Sequence, residues 1–311
     1  MNVILGINNS HNGSVALICD GEVKSAIQAE RISRHKRQTL SLGKDMRLIK
    51  NCINYCLNTA GFEYSDIEAV ALCTPWKAKK INDLDLFRYI GGVPKKYIKT
   101  FYVPHHFSHM EYIAHYGNLE PGIILVIDGS GSLEKDRLLF NVKEEHHTHI
   151  INHTHFSGKE AISAYWFDGL RSSLVYRFSP SNNLHDDVNR GSHGLLQSIG
   201  HYWEWASLYC CGSRTDAGKV MGLAAFGKVD KINEKESLSI SDEGKLSLNF
   251  AQLKNTFKDP NILNLDLSSS KHHQNIALKV QLETENVILK LLAILKEKYP
   301  ADTLYYSGGV A

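Results

Sequence analysis

The chain has 311 residues, with 35 Lys and Arg against 33 Asp and Glu for a formal net charge of +2, and a 43% hydrophobic share. That near balance argues against a nucleic-acid partner. No apolar run has the length a membrane-spanning helix needs, and the chain enters a strand pattern with no signal-peptide pattern ahead of it, so a cytoplasmic protein with no membrane partner is expected.

Val3 to Ile7 is a short apolar run that reads as a buried strand. Ser14 to Cys19 and Val23 to Gln28 follow as second and third strands, joined by the hairpin signal Asp20-Gly21. From Asp45 to Ala60, Met46, Leu48, Ile49, Cys52, Ile53 and Cys56 recur at helical spacing, and Gly61 is a helix stop. Ala69 to Cys73 reads as another buried strand. Gly122 to Ile127 opens a second series, which Leu138 to Val142 and His146 to His155 are expected to continue as a meander. Alternation in that stretch puts His147, His149, His153 and His155 on one strand face, either metal-binding or simply solvated.

Leu195 to Tyr209 and Asn275 to Lys298 have helical patterns, and Thr303 to Tyr306 makes a short strand before Ser307-Gly308-Gly309. Residues Val229 to Ser270 are polar and read as an irregular surface insertion. The length suits one large domain or two similar lobes. We place a first lobe at 1–120 and a second at 121–311, with the insertion near 229–270. The order of three strands, a helix and a strand is that of a ribonuclease-H-like unit, which actin-like folds contain twice. Cys19, Cys52, Cys56, Cys73, Cys210 and Cys211 form no paired CxxC units and are expected to be small reduced core residues.

The strongest chemical signal is Pro104-His105-His106-Phe107-Ser108-His109. On a helix, His105 and His109 share a face one turn apart and can hold one metal ion, while His106 points elsewhere. Asp128 closes the strand from Gly122 and opens the loop Gly129-Ser130-Gly131-Ser132. Its carboxylate can complete a two-histidine, one-carboxylate set, or it can be a turn former. The Gly/Ser turn exposes backbone N–H groups able to hold phosphate. His11, in the turn from Asn8 to Gly13, is a candidate general base or merely an exposed loop residue. Ser307-Gly308-Gly309 and the run Lys219 to Gly227 are further places where small residues allow close packing or a ligand. Arg31, Arg34, Lys36 and Arg37 read as a basic solvated loop or as the lining of an acceptor pocket.

In chain order, "ILGINNSHNGSVAL", "AERISRHKRQ", "HHFSHM", "VIDGSGS", "GKVMGLAAFG" and "LYYSGGVA" resemble the O-carbamoyltransferases, the family of nodulation and antibiotic-biosynthesis carbamoyltransferases. The resemblance runs from residue 3 to the end. It implies an α/β, duplicated ribonuclease-H-like (actin-like ATPase) fold related to the tRNA threonylcarbamoyl-transfer protein. It also implies transfer of a carbamoyl group from carbamoyl-adenylate, made from carbamoyl phosphate and ATP, to a hydroxyl of a small molecule. By position, His105, His109 and Asp128 match metal ligands, with iron(II) expected ahead of manganese or zinc. His11 matches a histidine that assists acyl transfer, and Gly129, Ser130, Gly131, Ser132, Ser307, Gly308 and Gly309 match nucleotide-contacting loops.

Two departures follow. The family's fourth ligand falls beyond Ala311, so the second lobe is expected to be truncated. The adenylate-forming domain is absent and is expected on a separate domain or chain. Asn12 also stands where relatives carry aspartate. Other readings are a tRNA threonylcarbamoyl-transferase-like protein, a non-enzymatic metal- and nucleotide-binding fragment that needs a partner, and an actin-like ATPase or sugar kinase. The last lacks the acidic residue expected where His11 stands. A homodimer is compatible with everything read here.

Overall fold

The computed structural model describes all residues except 42, 74–97, 118, 134–150, 155–157, 181–197, 232–234 and 257–269. The described residues fall into two compact units, Met1–Ser108 and those from His109 onward. The fold is mixed α/β.

In the first unit, β1 (Val3–Asn8), β2 (Ser14–Cys19) and β3 (Glu22–Gln28) form an antiparallel meander. Asp20 and Gly21, at φ 50° and 86°, have the positive angles that a tight two-residue hairpin requires. Two helices follow, α1 (Ala29–Ser33) and α2 (Met46–Ala60). β4 (Ile67–Cys73) then pairs parallel to β1, and β5 (Lys99–Val103) pairs parallel to β4. Alternation along β1 buries Val3, Leu5 and Ile7. Against β2 and β3, α2 lays Ile49, Cys52, Ile53, Cys56 and Leu57. Each such fully buried aliphatic side chain contributes about 1.5–3 kcal/mol. All six cysteines are free, and burial pushes the Cys52 thiol up to about 11 and the Cys210 thiol up to about 12, so both stay protonated core residues.

Helix α3 spans His105–Ala114. The second unit begins its sheet with β6 (Gly122–Ile127), all six residues of which are buried. Burial on both faces explains why that strand is uniformly apolar rather than alternating. Next come β7 (Ile151–Thr154), β8 (Ile162–Phe167) and β9 (Ser172–Ser179). Helices α4 (Ile199–Cys211) and α5 (Ala217–Ala224), the hairpin of β10 (Leu238–Ile240) and β11 (Leu246–Leu248), α6 (Phe250–Thr256), α7 (Lys271–Lys298) and β12 (Leu304–Ser307) complete it. The two large sheets run β3-β2-β1-β4-β5 and β12-β6-β8-β9-β7. The order and directions of β3-β2-β1-β4 recur in β9-β8-β6-β12.

Three expectations are revised. The second meander is β6-β8-β9, while β7 joins the edge parallel to β9. Leu138 to Val142, His147, His149 and His155 lie outside the described residues. Helix α4 starts at Ile199 because Ser198 caps it, its hydroxyl accepting from the His201 amide at 3.1 Å. The stretch after Val229 is not irregular throughout. Its hairpin buries Leu238, Ile240, Leu246 and Leu248, and strands of three residues are too short to give a periodic signal.

Helix α7 buries Ile276, Val280, Val287, Leu291 and Leu295, but also Lys279 and Glu283. The Glu283 carboxylate accepts from Tyr202 Oη at 2.6 Å and from the Ser237 and Leu238 amides at 3.0 and 3.1 Å. Lys279 Nζ donates to the same carboxylate and to the Lys235 carbonyl at 2.7 Å. This one carboxylate therefore staples the start of β10 to α4 and α7. Glu283→Ala is expected to cost about 3–5 kcal/mol, because the ammonium and two amides lose a buried partner. Urea denaturation of the variant measures this, and a loss under about 1 kcal/mol, the typical mutational value, would sink the staple.

Candidate divalent-cation site

Helix α3 carries His105 and His109 one turn apart. His109 Nε2 stands 3.8 Å from Asp128 Oδ2. His105, His109 and Asp128 each offer a ligand atom, all within 4.8 Å of one another. Ligand atoms about 2.0–2.2 Å from a shared ion stand on the order of 3–4 Å apart, so small side-chain movements close the set. Two imidazoles and one carboxylate suit a first-row divalent ion rather than an all-oxygen magnesium site. His106 is fully buried and lies outside this group. Around His105, Cys73 Sγ is 3.7 Å from Nδ1, and Ser108 Oγ donates to the His105 carbonyl at 2.7 Å.

Asp128 is held from several sides. Its amide donates to the Ala161 carbonyl at 3.0 Å, and its Oδ1 accepts from Gly129 N at 2.7 Å. A Cβ added to Gly309 would stand 2.8 Å from that Oδ1, so only glycine lets the chain pass so close to the carboxylate. Ser307 Oγ stands 3.0 Å from His109 Nδ1. Gly308, at φ 104°, passes beside the Ile127 carbonyl, and Val310 N donates to the same carbonyl at 3.2 Å. Ser307 to Gly309 are thus brought to His109 and Asp128.

The Gly129–Ser132 loop is less open than its composition suggests. Besides Gly129 N, Gly131 N donates to the Glu160 carbonyl at 2.7 Å, and Ser132 N to the Glu160 carboxylate at 3.3 Å. Three of the four amides are therefore used inside the protein. A basic neighbour of the loop is Lys159, whose Nζ donates to Ser130 Oγ at 3.3 Å. Burial pushes the pKa of this lysine down. Helix α4 abuts the loop, with Ser198 Oγ donating to the Gly129 carbonyl at 2.9 Å. Gly200 packs on the Gly129 backbone without room for a Cβ. His201 Nδ1 lies 2.8 Å from Ser198 Oγ, and His201 Nε2 3.6 Å from Glu204. Lys159, Glu160, Ser198 and His201 were not singled out in the sequence. A cap serine followed by glycine at the start of an aromatic helix was a readable signal for Ser198 and Gly200, whereas nothing local marked Lys159.

His11 lies in the first unit, exposed in the turn after β1, with Asn12 Nδ2 3.2 Å from its Nδ1. Gly13 donates to the Gln38 carbonyl at 2.8 Å, and its own carbonyl accepts from Ala29 N at 2.8 Å. Those bonds tie the basic stretch to the His11 turn. Arg31, Arg34, Lys36 and Arg37 are exposed on it. In the Lys219–Gly227 run, Gly227 packs against Leu278 and the Gln274 carbonyl, while Gly222 faces open space.

Two imidazoles from one helix and a carboxylate from a strand end form a candidate cation site on a mixed α/β fold, and that geometry alone defines no single activity. The family described as "Carbamoyltransferase N-terminus" matches residues 3–311, and the chain belongs to that family. The chain is 28% identical to Nodulation protein NolNO of Sinorhizobium fredii over 97% of its own length and 41% of that protein. It is 24% identical to Uncharacterized protein MJ1051 of Methanocaldococcus jannaschii over 99% of its length and 50% of that relative. The chain thus spans about half the length, or less, of these curated relatives. Among solved structures, T. kodakarensis HypF superposes with a TM-score of 0.58 at 11% identity, covering all of this chain and 42% of that one. This likeness concerns the fold. No described helix is long and apolar enough to cross a membrane.

Burial holds the His201 imidazole below its ordinary range. Glu204 opposes this, and Lys159 and Arg214 reinforce it. The unfolded chain then binds the extra proton first, so this residue's contribution is present above the imidazole range and is lost as pH falls through it. The stability of wild-type protein should therefore fall more steeply than that of His201→Gln between about pH 7 and about pH 5. Urea midpoints across that range test this, and parallel curves would refute it.

Proposed function

We propose that this chain is the metal- and nucleotide-binding part of an O-carbamoyltransferase, and that its two sheets are the halves of a duplicated ribonuclease-H-like, actin-like fold. The observation that carries the reading is the convergence of His105, His109 and Asp128 in a chain of the carbamoyltransferase family. The donor is carbamoyl-adenylate, formed from carbamoyl phosphate and ATP elsewhere, on a separate domain or chain. The acceptor is a hydroxyl of a small molecule.

His105, His109 and Asp128 hold the divalent ion, iron(II) in preference to manganese or zinc. When bound, such an ion supplies a Lewis acid for phosphate or carbonyl oxygens. Lys159 provides the cation beside the Gly129–Ser132 loop, because most of the loop's amides are committed to Glu160 and Asp128. Its ammonium balances phosphate charge as a point charge. Gly308 and Gly309 keep the backbone free of side chains where the nucleotide approaches. His11 accepts the proton of the attacking hydroxyl at a ring nitrogen, and the exposed basic stretch tied to its turn attracts an anionic acceptor.

Metal loading after chelation, measured by elemental analysis, tests the core of this reading. Wild-type protein is expected to retain one ion per chain. His109→Ala and Asp128→Asn are expected to weaken binding by more than about 100-fold, beyond the loss typical of an outer partner. Wild-type protein that retains no ion would defeat the assignment. Incubation with synthetic carbamoyl-adenylate and a panel of sugar and small-molecule alcohols should add one carbamoyl mass to the true acceptor. Lys159→Met is expected to weaken ATP binding about 10-fold or more, the loss of one charge-assisted contact.

A further inference from the structure

We infer that Ser307 is a positioning residue for the cation site, acting through His109 rather than through the nucleotide. This rests on the metal-binding part of the reading above. An imidazole that gives one nitrogen to a cation must carry its proton on the other, and that N–H needs an acceptor. For His109, Nε2 faces Asp128 Oδ2 at 3.8 Å and Nδ1 faces Ser307 Oγ at 3.0 Å. With a cation on Nε2, the serine oxygen would accept from Nδ1–H, which fixes the tautomer and leaves the Nε2 lone pair for the ion. Without that acceptor, the ring can protonate Nε2 or rotate, and both routes remove a ligand.

The placement of Ser307 is itself determined by backbone. Ser307 pairs with Val126 in the parallel register of β12 against β6, two residues before Asp128. The turn at Gly308 and the bond from Val310 N to the Ile127 carbonyl hold the strand end against β6. Gly309 then lies against Asp128 Oδ1. One short segment thereby orients the imidazole with a hydroxyl and passes the carboxylate with a bare backbone. The hydroxyl spends an acceptor lone pair on His109 and keeps its own O–H, so the two roles are separated by the losses they predict.

Zn(II) and Mn(II) titrations of the chelated protein, with ATP titrations alongside, distinguish them. Ser307→Ala is expected to weaken metal binding 10–100-fold, with Ser307→Thr restoring it to within a few-fold and ATP affinity without metal unchanged. Unchanged metal affinity in Ser307→Ala, in a background where His109→Ala abolishes binding, overturns the inference and leaves the metal site standing. Metal binding that survives His109→Ala and Asp128→Asn defeats the metal site itself, and this inference with it. A measurement that needs no variant at Ser307 is nitrogen NMR of histidine-labelled, Zn(II)-loaded protein, with the His109 signal assigned by its loss in His109→Ala. The Nδ1–H form of His109 is expected, and the Nε2–H form would overturn the proposal.

Discussion

The parallel pairing of β12 with β6 is the constraint on which the candidate cation site depends. β6 delivers Asp128 at its end, and β12, in register beside it, delivers Ser307, Gly308 and Gly309. Parallel neighbours end on the same side of a sheet, which is why open α/β sheets gather ligands beyond the carboxyl ends of their strands. A slip of one residue in this pairing would turn Ser307 to the opposite face. The hydroxyl would then leave His109 and a tyrosine would take its place. Register here is a chemical requirement as much as a packing one.

Much of the fold was legible because its elements are strongly periodic or strongly apolar. The spacing of Ile49, Cys52, Ile53 and Cys56 leaves one reading for α2, and the unbroken run Ile123 to Ile127 leaves one for β6. The Asp20-Gly21 pair fixed a turn through its need for positive φ. Where reading failed, local signal was weak or misleading. The hairpin around Leu238 and Leu246 has two buried residues per strand, which is too few to show a period. The edge position of β7 depends on a parallel partner that no local pattern encodes.

The candidate site divides along the same line. His105 and His109 lie four residues apart in one helix, so their shared face follows from helical geometry alone. The closeness of Asp128 to His109 is a tertiary fact, which the strand-end position of Asp128 allowed and the family resemblance made specific. Glycine and serine content suggested that the Asp128–Ser132 loop offers free amides, yet the Glu160 backbone and carboxylate occupy two of them. Composition reports what a loop is able to donate, not what the folded chain has already satisfied. Lys159 and Ser307 gain their significance from neighbours distant in sequence, 29 and 198 residues away.

That last separation bears on how the molecule assembles. Bringing together groups nearly two hundred residues apart carries an entropic cost that grows with the logarithm of the intervening length, and sheets closed by such distant partners form slowly. A nascent chain can complete the β6-β8-β9 meander while β12 is still unmade. During that interval one edge of β6 stands without its neighbour, an apolar strand with open backbone groups of the kind that chaperones shield. The proposed cation site is then completed among the last steps of maturation, so metal binding there would report completed folding of the second unit.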